Sequence, residues 1–332
     1  MNFTRAAKIT FVAYFLVILA GGVVRMSGSG MGCPDWPKCF DRYVPPVSEN
    51  ELPDNYKDIY RQKRAKKLQR FIQFLQSAGL EEEAQELSKN PEVLYEQDFN
   101  PFNTWTEYIN RLTGAFSGLA TLWMVMLSFG KWKERKSLVV LSFFQLVVLI
   151  FQAWWGSMVV ASNITPWVLT VHMILALILV SVQLIIIHLS ENARLITDRK
   201  KIMWTSLGLL FMLVQILAGT QTRQQVDELA KNFPRQEWIE YLGVVFKFHR
   251  SFANLVLLMA LIIVWRTYKK NRSIQRKEIL LVALVLMEIT AGIALSHFGM
   301  PPLFQPVHLL IGIAIFTAFL NIIFQPNNHA KS

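Results

Sequence analysis

Long uninterrupted runs of apolar residues dominate this chain. Eight of them, at roughly 8–25, 108–130, 137–160, 168–189, 203–222, 246–266, 278–297 and 303–324, approach the length of about 20 mostly apolar residues that a helix needs to cross a bilayer. The first run passes through Leu19-Ala20-Gly21-Gly22 into polar loop with no small-x-small site closing it, so it reads as a span and not as a cleaved signal. The pattern predicts an all-α polytopic membrane protein with eight transmembrane helices. Polar residues otherwise come in short clusters, except in one long connection at 26–107. The middle of that connection, 56–90, is polar and helix-prone, basic over 57–70 and acidic over 81–86. It is expected to form a solvated extramembrane helix or hairpin, with a docking surface as the alternative.

Composition agrees with the spans. The 332 residues are 53% hydrophobic and 17% charged, with a mean hydropathy of +0.32; a soluble chain averages roughly 45–50% apolar and about 25% charged. Soluble enzymes, nucleic-acid binders and disordered tails are excluded. The net charge of +11 is then an orientation signal, because short cytoplasmic loops collect Lys and Arg. The loop after span 2 holds Lys131, Lys133, Arg135 and Lys136, and the loop after span 4 holds Arg194, Arg199, Lys200 and Lys201. The loop after span 6 holds Arg266, Lys269, Lys270, Arg272, Arg276 and Lys277, whereas the loops after spans 3 and 7 hold none. Both termini are therefore expected in the cytoplasm. Cys33 and Cys39 fall in the outward-facing connection, on the oxidising side.

The chain repeats itself weakly. Leu19-Ala20-Gly21 of span 1 matches Leu217-Ala218-Gly219 of span 5, and Asn110-Arg111 of span 2 matches His249-Arg250 of span 6. Gln152 and Gly156 of span 3 match Glu288 and Gly292 of span 7, and Val171-His172 of span 4 matches Val307-His308 of span 8. The last three pairs lie 139, 136 and 136 residues apart. A rival register would align Trp105-Thr106-Glu107-Tyr108 with Trp238-Ile239-Glu240-Tyr241, and the Asn110–His249 register is preferred to it. Two tandem pseudo-symmetric four-helix bundles follow, 1–190 and 191–332.

His172, His249 and His308 each lie near the outer start of an outside-to-inside span. A lone intramembrane His is more often a helix–helix hydrogen bonder than a ligand, but three at one depth suggest a shared task. His249 and His308 fall on neighbouring helices of one bundle, as the two axial ligands of a six-coordinate haem iron must. Arg25, Arg111, Arg223 and Arg250, at outer helix ends, are candidates for haem propionates, with snorkelling to lipid headgroups as the alternative. In the N-terminal half His172 is paired with Asn110, so that half cannot form a bis-histidine site from these positions and would leave one iron face open. Glu107 lies three residues before Asn110, on the same helix face. It is either the end of a capping box opened by Thr104 or a cavity carboxylate able to stabilise positive charge or accept a proton. Glu288 is a costly mid-membrane carboxylate, for which a neutral hydrogen-bonded role is the plainer account. His188 reads as interfacial, His297 as a lesser pocket candidate, His329 as uninvolved, and Trp154-Trp155 as packing or haem-edge residues.

Gly22-Val23-Val24-Arg25, Gly28-Ser29-Gly30, Cys33-Pro34-Asp35-Trp36-Pro37-Lys38-Cys39 and Glu107-Tyr108-Ile109-Asn110-Arg111, with His172, His249-Arg250 and His308, resemble the haem A synthase family. The resemblance covers all eight spans. It implies two four-helix bundles, with haem b ligated by His249 and His308 in the C-terminal one. It implies that the N-terminal bundle takes haem O and oxidises its C8 methyl to a formyl group, giving haem A for cytochrome oxidase. Glu107 would be the catalytic carboxylate and His172 a ligand to the substrate iron. Asn110 departs from the family's Glu-x-x-His pattern. Cys33 and Cys39 would form a disulfide, either redox-active or a staple at the pocket mouth. Partners implied are haem O, haem A, oxygen or water, an electron donor or acceptor such as a quinone, haem O synthase and cytochrome oxidase. The place implied is the bacterial cytoplasmic membrane, with the haem sites toward its outer face. A bis-histidine cytochrome b carrying electrons, or a haem-handling assembly protein without catalysis, would explain fewer of these residues.

Overall fold

The computed structural model of the chain describes residues 2–325; His329 lies outside them. In chain order the helices are α1 (Phe3–Met26), α2 (Tyr56–Ser77), α3 (Glu81–Lys89), α4 (Pro101–Ser128), α5 (Lys136–Ala161), α6 (Pro166–Ser190), α7 (Arg199–Leu229), α8 (Trp238–Tyr241), α9 (Val244–Asn271), α10 (Arg276–His297) and α11 (Phe304–Ile322). All but α2, α3 and α8 are long and apolar enough to cross a membrane, giving eight spans among the described residues. The all-α polytopic membrane fold is therefore present. Several helices overrun their apolar stretch. The segment expected at 203–222 becomes α7, Arg199–Leu229. Lipid dictates the apolar length, whereas the backbone hydrogen-bond ladder continues into polar turns until something stops it.

Local chemistry sets the helix ends. Asp198 caps α7, its carboxylate accepting from the Lys201 N–H at 3.0 Å, and Gln275 with Glu278 forms a reciprocal capping box on α10. Pro166 opens α6, where its missing N–H costs nothing. At the other end of α9, Arg272 turns into the left-handed region at φ 54° and stops the helix.

The described chain forms two compact units. One joins Ala120–Gln145 with the stretches from the N-terminus to Phe15 and from Leu177 onward; the other holds Leu16–Leu119 and Leu146–Ala176. This division cuts across the first four spans.

In the first unit α7 packs on α9 and α11, and α10 packs on the same two helices, closing a four-helix ring. Polar residues inside it are paired, as burial away from water requires. The fully buried Glu278 of α10 accepts from Lys201 Nζ of α7 at 2.6 Å and from Thr267 Oγ1 of α9 at 2.6 Å. The same unit packs Phe3, Ala6 and Ala7 of α1 with Met124, Leu138 and Ile186 of α4, α5 and α6. Gln183 Nε2 donates to the Ala7 carbonyl at 2.8 Å, an interhelical bond of the kind that glues spans together. Two-residue strands β1 (Arg194–Leu195) and β2 (Phe324–Gln325) pair antiparallel. His188, expected at the interface, is buried with its ring stacked 4.3 Å from that of Phe324.

In the second unit the long connection is not simply solvated. α2 and α3 form the expected hairpin, but Leu68, Phe71 and Leu75 make an apolar stripe along α2 at helical spacing. That stripe docks on Trp155, Met158 and Val168 of α5 and α6. The Phe71 ring meets that of Trp155 edge-on at 5.6 Å. Arg64, also buried, bonds Glu96 at 2.8 Å and the Tyr95 carbonyl at 2.8 Å. Burial pushes the Glu96 carboxyl up to about 7 although Arg64 opposes the shift.

Candidate functional site

Cys33 and Cys39 are joined in a disulfide, buried among Phe40, Tyr56 and Tyr60. Glu107 and Arg111, one turn apart on α4, clamp this loop from below. Glu107 is buried; its Oε2 accepts from the Cys33 N–H at 2.8 Å and its Oε1 from Arg111 Nη2 at 2.5 Å. Arg111 also donates to the carbonyls of Asp35 at 2.6 Å, Lys38 at 2.8 Å and Cys33 at 3.0 Å. Thr104 does not cap the helix, because α4 already begins at Pro101. Its hydroxyl instead donates to the Gly32 carbonyl at 2.9 Å. The capping-box alternative for Glu107 therefore falls. Nearby on α2, burial and the charge of Arg111 bring the Lys67 ammonium down to about 8.

Deeper in the same unit, His172 of α6 meets α5. Gln152 Nε2 donates to the His172 carbonyl at 3.1 Å and lies 3.2 Å from His172 Nε2. A β-carbon on Gly156 would stand 3.0 Å from His172 Cε1, so glycine makes the space for the ring. His172 Nδ1 is buried with no hydrogen-bond partner among the described residues, and so is Asn110 Oδ1. Buried orphan polar atoms are rare and call for an explanation, and a ligand taken between these helices supplies one.

In the first unit His249 of α9 and His308 of α11 face one another, their ring centres 6.1 Å apart at an interplanar angle of 81°. An imidazole nitrogen sits about 1.1 Å from its ring centre and about 2 Å from a bound first-row metal. Two rings on opposite sides of one ion should therefore have centres about 6 Å apart. The observed spacing fits axial ligation of one haem iron. The second nitrogens are oriented from behind. His249 Nδ1 lies 3.2 Å from the Gln215 carbonyl, and Gln215 Nε2 donates to the His249 carbonyl at 2.9 Å. His308 Nδ1 lies 3.2 Å from Glu288 Oε2. No cluster of three or more His, Cys, Asp or Glu able to hold a bare metal ion occurs among the described residues.

The four arginines are placed differently from one another. Arg111 is engaged by the disulfide loop, and Arg25 lies in the last turn of α1. Arg223 pairs with Asp227 at 2.8 Å, and Arg250 is exposed above the Phe246 ring. His297 is exposed and bonds the Ile293 carbonyl of its own helix at 3.0 Å. Trp154 and Trp155 pack on Phe71.

Gln215 is not among the residues the sequence pattern singles out. The signal open to it is that Gln215 and Glu288 each stand four residues before a glycine, and each glycine faces a histidine ring.

Comparison with known proteins bears on the whole length. The model of a family described as cytochrome oxidase assembly protein matches residues 4–320. A protein named heme A synthase from Shewanella oneidensis is 25% identical over 95% of this chain and 91% of its own length. Proteins of the same name from Bacillus mycoides and Alkalihalophilus pseudofirmus are 25% and 23% identical over 86% and 93% of this chain. They cover 81% and 92% of their own lengths.

Proposed function

The chain belongs to the COX15-CtaA family of cytochrome oxidase assembly proteins, and from that premise we propose that it is a haem A synthase, an oxidoreductase that converts haem O to haem A. The observation that carries the reading is the facing pair His249 and His308, 6.1 Å apart within a closed four-helix ring, in a chain that matches heme A synthases over most of its length.

The work divides between two halves, 1–190 for substrate and 191–332 for the cofactor. His249 and His308 would hold haem b, which when bound would supply one-electron transfer. The Gln215 carbonyl would fix the tautomer and direction of the His249 ring from behind. Arg223 of α7 and Arg250 of α9, the latter next to His249 in sequence, would offer cations to haem propionates.

On the substrate side His172 ligates the iron of haem O, and Asn110 lines the pocket without replacing a second histidine. The open iron face suits chemistry, whereas the closed cofactor suits electron transfer. Glu107 is the catalytic carboxylate that stabilises positive charge or accepts a proton as the C8 methyl is oxidised to formyl. Its ties to Cys33 and Arg111 fix where that charge sits. Arg111 supports the wall of the pocket, and Arg25 is the remaining candidate there for a propionate. Oxygen or water supplies the new oxygen atom, and a carrier such as a quinone exchanges the electrons.

The basic loops support a reading in which both termini lie in the cytoplasm of a bacterium and both haem sites lie toward the outer face of its cytoplasmic membrane. Haem O synthase upstream and cytochrome oxidase downstream are the expected protein neighbours. Co-expression with a haem O synthase, followed by extraction and chromatography of the haems, tests the reading. Haem A supports it; haem O alone would leave a carrier or a haem-handling protein.

A further inference from the structure

The candidate cofactor ligands share one arrangement and differ in a single respect. Gln215 on α7 and Glu288 on α10 each precede by four residues the glycine that accommodates a histidine ring. A β-carbon would lie 2.9 Å from His249 Cε1 at Gly219 and 3.4 Å from His308 Cε1 at Gly292. Behind His249 the acceptor is neutral: Nδ1 lies 3.2 Å from the main-chain carbonyl of Gln215. Behind His308 it is a carboxylate, with Glu288 Oε2 at 3.2 Å from Nδ1.

The surroundings are built to keep that carboxylate in place. A β-carbon on Gly312, one turn beyond His308, would come within 3.2 Å of Glu288 Oε1. Glycine there leaves room for the group beside the imidazole. Glu288 Oε2 and His308 Nδ1 are both buried without a hydrogen-bond partner among the described residues, so the charged contact at 3.2 Å is what each has. An ionisable side chain inside a membrane span is costly and is retained where it has a task.

We propose that Glu288 is a positioning residue for His308, its carboxylate lying beside Nδ1 so that Nε2 is turned toward the haem iron and His308 is the more electron-rich of two unequal ligands. The proposal rests on the reading that His249 and His308 hold the haem. A carboxylate behind a ligating imidazole raises its basicity more than a carbonyl does. A more basic ligand favours the oxidised iron, so the haem is held at a lower reduction potential than a pair of carbonyl-backed histidines would give.

Potentiometric titration of the purified full-length, haem-loaded protein tests this. Glu288→Gln keeps the side-chain volume and removes the carboxylate. It should retain the haem and raise its midpoint potential by about 59 mV, a tenfold weaker preference for oxidised iron in a one-electron couple. If Glu288→Gln does not accumulate, Glu288→Asp withdraws the carboxylate by one methylene and should move the potential in the same direction by less. An unchanged potential in the variant that is measured, in a protein whose haem is lost in His249→Ala, overturns the proposal alone. A haem that persists in His249→Ala overturns the ligand assignment and this proposal with it.

Discussion

Arg111 offers the sharpest structural perturbation. Its guanidinium holds three carbonyls of the disulfide loop and one oxygen of Glu107. The two side chains are only 13% and 4% exposed. In Arg111→Met the aliphatic stem is kept and all four bonds are lost, with Glu107 left buried beside a single backbone N–H. Breaking a buried ion pair by removing one partner costs about 3–5 kcal/mol. Arg111 is slightly open to solvent, so the lower end applies, about 3 kcal/mol. At about 1.4 kcal/mol per decade, the loop should open roughly 100-fold more often. Amide hydrogen exchange over residues 33–42 of the full-length protein in detergent reads that opening directly. Adding Glu107→Gln removes the stranded charge, so the double variant should be less exposed than the two single effects together by about 0.5–3 kcal/mol. Wild-type protection of this segment in Arg111→Met would refute the clamp.

Three further outcomes follow from the same geometry. Glu107→Ala should abolish haem A formation in the co-expression assay while the optical spectrum of the cofactor haem stays as in wild type; normal haem A yield would remove Glu107 from the chemistry. Gly219→Leu puts a side chain where even a β-carbon lies 2.9 Å from the His249 ring. Its purified protein should carry much less haem b per chain, and full haem content would contradict the packing. The Glu96 carboxyl is raised in the fold to about 7 from 4.5, so between those values the folded state binds more protons than the unfolded one. Its contribution to stability is fully present below pH 4.5 and is lost as pH rises through about 7. Proteolysis of the α2–α3 hairpin should accordingly be faster at pH 8 than at pH 5.5 after correction for protease activity, and Glu96→Gln should flatten that difference.

What the sequence disclosed and what it withheld divide along a physical line. Spans are legible because lipid demands a fixed apolar length, whatever the neighbours. His249 and His308 are legible because intramembrane histidines are few and their depth follows from counting along a helix. The pairing of His308 with Glu288 was not legible, since rotation of α10 against α11 is fixed by packing that no single helix encodes. The glycines at 292 and 312 were the available clue: small residues one turn from a polar one mark where two helices come close. The apolar stripe of α2 was also readable, but it was masked by the charges around it. Arg111 reads as a propionate candidate because it falls at the start of the apolar run 108–130, although α4 itself begins at Pro101. Only the folded loop brings the carbonyls of residues 33, 35 and 38 to its guanidinium, and such long-range backbone placement leaves no local trace.

One haem b is proposed to sit between His249 and His308. The most direct test is the visible spectrum and haem b content of the purified chain beside His249→Ala, His308→Ala and His172→Ala. Wild type and His172→Ala should show a six-coordinate low-spin haem b, and each of the other two variants should lose it. Low-spin haem b that survives in both His249→Ala and His308→Ala would contradict the account.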